Sequence, residues 1–229
     1  MVYTIDFIKE LYETYAEDLI KVINRHNTLR YEINKGSDNV ECEISYLLFR
    51  HFKPKTVFER APNEGWSTCW ILSALRDNGF GKLYSYDIVD LASKKVPKDL
   101  SEGRWAFVQG DAVKLLDEHD YTIDYLYIDA DHYCEFTNWY LTKLIPNLKT
   151  GTPISIHDIY HDSHPETYIY EERGSVMKWL SDNSIPYFSP SKFKDQKVFE
   201  YLCSIRSNLG IPEIVDGGTV NPMIYLIKQ

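Results

Sequence analysis

The stretch TVFERAPNEGWSTCWILSALRDNGFGKLYSYD, residues 56–87, decides the fold. Thr56-Val57-Phe58-Glu59 is a short apolar run introduced by Pro54, the pattern of a buried parallel strand. Ala61-Pro62-Asn63-Glu64-Gly65 is a turn. Trp66, Trp70, Ile71, Ala74 and Leu75 then recur on a helical period, so a helix from Trp66 to Arg76 buries one face. Asn78-Gly79 and Gly81 stop it, and Leu83-Tyr84-Ser85-Tyr86 starts a second strand that ends at Asp87. A strand, a turn of small residues, a helix N-terminus and a strand closing on an acid suit a nucleotide-type ligand. The backbone can approach the ligand at the turn, and the acid can take a ribose diol. The stretch lacks G-x-G-x-x-G, which argues against a dinucleotide.

Upstream, Ile5, Ile8, Leu11, Tyr12, Tyr15, Leu19 and Val22 mark an amphipathic helix over residues 3–27. Three roles stay open for it: a lid on the ligand pocket, a face for a homo-oligomer, or plain packing. A polar link, EINKGSDN at 32–39, leads to a second helix, Val40 to Phe52, with Ile44, Leu47 and Leu48 on its buried side. Residues 1–53 therefore read as a helical extension packed on or lidding a core domain of residues 54–229.

Downstream, residues 88–103 hold one short helix. Arg104 to Gln109 is a third strand, followed by Gly110-Asp111 and a helix from Ala112 to Glu118, for which Asp111 is an N-cap. Thr122 to Asp129 is a fourth strand, Tyr133 to Leu148 a long helix, and Pro153 to Ile156 a fifth strand ending at His157-Asp158. Strands alternating with helices imply a parallel sheet with helices on both faces, an α/β, doubly wound, Rossmann-like architecture. Beyond a polar, aromatic loop at 159–171 come a helix, Arg173 to Asp182, and a loop, Ile185 to Gln196. Two closing strands, Lys197 to Ser204 and Pro222 to Lys228, follow, one of them antiparallel.

The chain has 229 residues, room for one large domain, and is 44% hydrophobic, enough for a sizeable core. A net charge of -9 disfavours nucleic acid as the main partner, because phosphate binding draws on a basic surface. No apolar run reaches the roughly 18 residues of a membrane span, and the N-terminus lacks a secretion pattern. Cys42, Cys69, Cys134 and Cys203 have no C-x-x-C spacing and read as packed thiols in a reducing cytoplasm.

The chemistry gathers at strand ends, where doubly wound sheets bind ligands. The first strand ends in Glu59, the fourth in Asp129-Ala130-Asp131-His132 and the fifth in His157-Asp158. The last two groups converge in one cleft if their strands are neighbours. Carboxylates with an imidazole suit a divalent ion: oxygen donors favour Mg²⁺, Mn²⁺ or Ca²⁺, while histidines pull toward iron or zinc. Helix-cap roles for Asp131 and a turn-cap role for Asp158 stand beside the metal reading.

The unit at 56–87 resembles the first motif of class I S-adenosylmethionine (SAM) methyltransferases. In that family an acid ends the first strand and a glycine turn follows; Glu59, Ala61 and Gly65 stand at those places, with Ala61 where the first glycine would be. The I-D-A-D-H of residues 128–132 and the pair His157-Asp158 look like the metal-dependent O-methyltransferases of the catechol, caffeoyl-coenzyme A and macrolide-sugar types. The resemblance implies a seven-stranded sheet and cofactor contacts from Glu59, Ala61, Asn63, Gly65, Ser67, Asp87, Asp111 and Asp129. It implies metal ligands at Asp129, His157 and Asp158, with His157 where the families carry an acid. It implies a catalytic group of Asp129, Asp158 and a general base three residues after Asp129, at His132. The expected reaction is methyl transfer from SAM to a hydroxylated small molecule, a sugar or glycosylated metabolite, with Mg²⁺ or another divalent ion. A metal-independent enzyme and a non-catalytic SAM-binding module are the alternatives.

Overall fold

The structure, a computed structural model, describes residues 2–116, 122–129, 134–215 and 218–229. Seven strands form one sheet in the order β3-β2-β1-β4-β5-β7-β6. They are β1 (Thr56–Arg60), β2 (Lys82–Asp87), β3 (Trp105–Gln109), β4 (Tyr125–Ile128), β5 (Pro153–Ile156), β6 (Tyr187–Phe188) and β7 (Ile224–Ile227). β1 to β5 pair in parallel, with Val57 opposite both Leu83 and Tyr125. β7 runs antiparallel to β5 and to β6. The order reverses between β1 and β4, so the crevice opens outside the carboxyl ends of these strands.

The period-two alternation of the strands sorts the core into two layers. Val57, Tyr125, Tyr127, Tyr225 and Ile227 pack with α1 (Ile5–Leu29), α2 (Asn39–Phe52), α3 (Trp66–Asn78) and α9 (Gln196–Asn208). Phe58, Leu126, Ile128, Ile156 and Ile224 face the other way. They pack with α5 (Ala112–Leu116), the run α6 (Cys134–Trp139) to α7 (Ile145–Asn147), and α8 (Glu172–Asp182). A π-helical turn, Tyr140–Leu144, joins α6 to α7. α4 (Lys98–Ser101) is the one short helix of residues 88–103.

The end of the chain departs from the sequence expectation. Lys197 to Ser204 is not a strand but lies within α9. Asp195 caps that helix, its Oδ1 accepting from Lys197 N at 2.9 Å and Val198 N at 3.3 Å. Val198, Leu202 and Ile205 then carry a helical period onto the core. The strand that completes the sheet is β6, inside the stretch expected to be loop, where Tyr187 pairs with Leu226 and Phe188 with Tyr225.

α2 is buried almost all round, not on one face only. Two acids are buried with it. Glu43 accepts from Arg206 Nε of α9 at 2.8 Å and from Tyr12 of α1 at 2.9 Å. Glu41 accepts from Met223 N at 3.1 Å, just before β7. Cys42 and Cys69 are buried free thiols. Among the described residues no helix is long and apolar enough to cross a membrane.

Candidate active site

β1 leaves the sheet through a turn with three left-handed residues: Ala61 (φ 58°), Asn63 (φ 48°) and Gly65 (φ 96°). Gly65 caps α3 at its N-terminus. A Cβ there would stand 2.5 Å from Val96 Cγ2, so the position needs glycine for space as well as for conformation. Ala61 takes the same backbone region without that freedom.

Beneath this turn Glu59 is fully buried. Its Oε1 accepts from Ser67 at 2.7 Å, and its Oε2 accepts from Thr68 at 2.8 Å and Ser85 at 2.5 Å. Burial pushes its pKa up to about 7, against the pull of those three hydroxyls. Glu59 thus joins β1 to the first turn of α3 and to β2.

Above the turn lies a cavity of about 480 Å³. It brings together Ala61, Asn63, Ser67, Asp87, Asp129, His157 and Asp158 of the sequence-predicted set. Glu59, Gly65 and Asp111 are not among its walls. Asp111 is exposed and accepts from Val113 N at 3.0 Å, as a helix cap does. His132 and Asp131 lie outside the described residues.

Sequence reasoning missed two further walls. Asn34, Gly36 and Ser37 enter from the polar link before α2. Ile88, Val89 and Leu91 line the cavity just past Asp87, and they are 61%, 50% and 47% exposed. Three apolar side chains following an acid at a strand end are a signal for a flat apolar ligand surface; their exposure was what the sequence concealed.

The far wall is a charge cluster. One ligand atom each of Asp129, His157 and Asp158 lies within 4.8 Å of the others. His157 Nδ1 stands 3.1 Å from Asp129 Oδ1 and 3.0 Å from Asp158 Oδ1. Its Nε2 stands 2.9 Å from Glu41 Oε1, a buried carboxylate from α2 that no sequence signal places here. Burial works against a charged ring, but Asp129 and Glu41 outweigh it and raise the His157 pKa well above the usual value. Asp158 itself is left-handed, at φ 58°. His161 Nε2 reaches its Oδ1 at 2.8 Å.

Residues 63–159, which run from the turn through the charge cluster, match a family described as a methyltransferase domain. The match covers less than half of the chain. No curated protein matches it in sequence. Among solved structures it is similar to an O-methyltransferase from Bacillus cereus in complex with S-adenosylhomocysteine. That pair is 11% identical, with a TM-score of 0.61, covering 99% of this chain and 100% of the other. It is also similar to the O-methyltransferase TomG from Streptomyces achromogenes, involved in tomaymycin synthesis and in complex with SAM. There the identity is 13%, the TM-score 0.57 and the coverage 91% and 90%. A methyltransferase of Podospora anserina bound to S-adenosylhomocysteine is 16% identical, with a TM-score of 0.53 and coverage of 92% and 87%. At such identities the likeness carries the fold. The chain folds as a seven-stranded, mostly parallel Rossmann-like sheet of the class I methyltransferase type, with helices preceding β1.

Proposed function

We propose that the chain is a SAM-dependent O-methyltransferase acting on a hydroxyl of a small molecule, a sugar or glycosylated metabolite. One observation carries this reading. The turn after β1 and the acid ending β2 share a single cavity with the cluster Asp129, His157 and Asp158.

In this reading Asp87 takes the ribose hydroxyls, and Ile88, Val89 and Leu91 cover the apolar face of the base. The hydroxyls of Ser67 and Thr68 are committed to Glu59. The first-turn N–H groups of α3 are then what holds the donor's carboxylate. The turn at Ala61 and Asn63 lets the backbone come close to the donor. Gly65 sets that turn from below, Glu59 braces it, and Asp111 stands at the adenine end.

Asp129, His157 and Asp158 fit a divalent ion such as Mg²⁺. Their donor atoms converge, and the other ring nitrogen of His157 meets a carboxylate, as ligating histidines require. When bound, the ion supplies Lewis acidity that makes the acceptor hydroxyl easier to deprotonate. The chain itself aligns the acceptor oxygen with the donor methyl, which is most of what an in-line displacement needs. His132, three residues past Asp129, takes the proton.

A second reading follows from the His157 geometry. With carboxylates on both ring nitrogens, a protonated His157 can itself be the cation of the cluster, and the enzyme is then metal-independent. The donor half of the proposal is tested by calorimetric titration with S-adenosylhomocysteine, which should bind. The chemical half is tested by His132→Ala, which should abolish turnover across an acceptor panel while leaving that affinity nearly intact. Tight binding with no turnover of any acceptor by the parent chain would instead favour a non-catalytic module.

A further inference from the structure

A second, smaller cavity of about 200 Å³ adjoins the first. Among the described residues its walls are Asp158, His161, Glu171 and Arg173, and Asp158 belongs to both cavities. We infer that this second cavity binds the methyl acceptor, and that it selects a hydroxyl-rich molecule, neutral or amine-bearing, without an anionic group. The inference rests on the reading of the larger cavity as the donor site.

Position is the first argument. Methyl transfer needs acceptor and donor side by side, and the two cavities meet at Asp158, in the charge cluster. Lining is the second. None of the described walls is apolar. A flat hydrocarbon acceptor seated here would strip water from charged groups and return no hydrogen bond, whereas hydroxyls can replace that water.

Charge is the third. Arg173 is the one permanent cation among these walls, and it is already engaged. Its Nε donates to Glu171 Oε2 at 2.8 Å, its Nη1 donates to Asp162 Oδ2 at 3.1 Å, and its guanidinium lies 3.1 Å from the centre of the Tyr168 ring. His161 is held by Asp158. Asp158 faces the cation of the charge cluster, so Asp162 and Glu171, two carboxylates on one guanidinium, set the field at the outer end. A phosphate or carboxylate on the acceptor would meet repulsion there, and an amine attraction.

The test uses the full chain and amide-resolved NMR, with three probes: methyl glucoside, glucosamine and glucuronate. S-adenosylhomocysteine binding is recorded first. Its absence overturns the donor-site reading and this one with it. On the saturated protein, methyl glucoside and glucosamine should shift the signals of His161, Glu171 and Arg173, with glucuronate weaker by about tenfold or more. Glu171→Lys should narrow that gap by a similar factor without changing S-adenosylhomocysteine affinity. Glucuronate binding as tightly as methyl glucoside, shifts confined to other parts of the molecule, or no probe binding to the saturated protein would each overturn the acceptor assignment alone.

Discussion

Glu41 Oε1 lies 2.9 Å from His157 Nε2, so a helix near the start of the chain grips a residue at the end of β5. The same oxygen accepts from Asp38 N at 2.7 Å, and Oε2 accepts from Met223 N. Such a carboxylate fixes the orientation of a ligating imidazole. Glu41→Gln is therefore expected to weaken Mn²⁺ binding by about 10- to 100-fold, read by calorimetry on the folded variant. Equal affinity in parent and variant would remove Glu41 from this role.

Removal of the ion separates the two readings of the cluster. If the divalent site operates, EDTA should stop methylation and added Mg²⁺ or Mn²⁺ restore it. Asp129→Asn and Asp158→Asn should each lower turnover by at least about tenfold, with S-adenosylhomocysteine affinity preserved. Full activity in EDTA would establish the metal-independent form.

Glu59 should make stability depend on pH. Its carboxyl titrates near 4.5 when exposed and at about 7 in the folded chain. The folded state holds the proton more tightly, so this contribution is complete below pH 4.5 and is lost as pH rises through 7. The loss is on the order of 3 kcal/mol. Glu59→Gln, whose amide can still serve the three hydroxyls, should flatten that slope in urea unfolding measured across the same range. Identical slopes in the two chains would contradict the buried proton.

The turn after β1 offers a paired test of backbone strain. Ala61 at φ 58° carries a penalty that glycine would not, so Ala61→Gly should keep donor affinity and raise stability by up to about 1 kcal/mol. Gly65→Ala combines φ 96° with the clash on Val96 and should cost about 2–4 kcal/mol. Thermal unfolding of both variants decides. A destabilised Ala61→Gly would show that the methyl has a packing role.

The ion pair between Arg206 and Glu43 ties α9 to α2 inside the core, with both partners buried. Arg206→Ala strands the carboxylate and should cost about 3–5 kcal/mol in chemical denaturation. A loss under about 1 kcal/mol, the size seen for exposed pairs, would mean that water reaches Glu43.

Much of the fold was legible because local signals agreed. Pro54, the apolar run at Val57-Phe58 and the glycines after Asn78 all point to one strand–turn–helix–strand unit. The closing strands were less so. Val198, Phe199, Tyr201 and Leu202 can be read with either period, and what decides for a helix is the Asp195 cap together with packing against α1. β6 is only two residues long, too short to show any period. In the site, Asp87, Asp129, His157 and Asp158 were visible as acids and histidines at strand ends. Glu41 was not, because an acid in a helix ordinarily faces water and only tertiary packing turns this one inward. The opposite holds for Glu59: its place at the end of β1 was plain, but the three hydroxyls that draw it away from the cavity come from two other elements.

The contact between Glu41 and Met223 spans 182 positions of the chain. A nascent polypeptide would carry the turn at Ala61 and the pair His157-Asp158 long before it could supply Met223. Such distant contacts are late to form. The imidazole of His157 would then gain its full anchorage only once β7 docks, so the order of the charge cluster depends on a segment made well after the residues that form it.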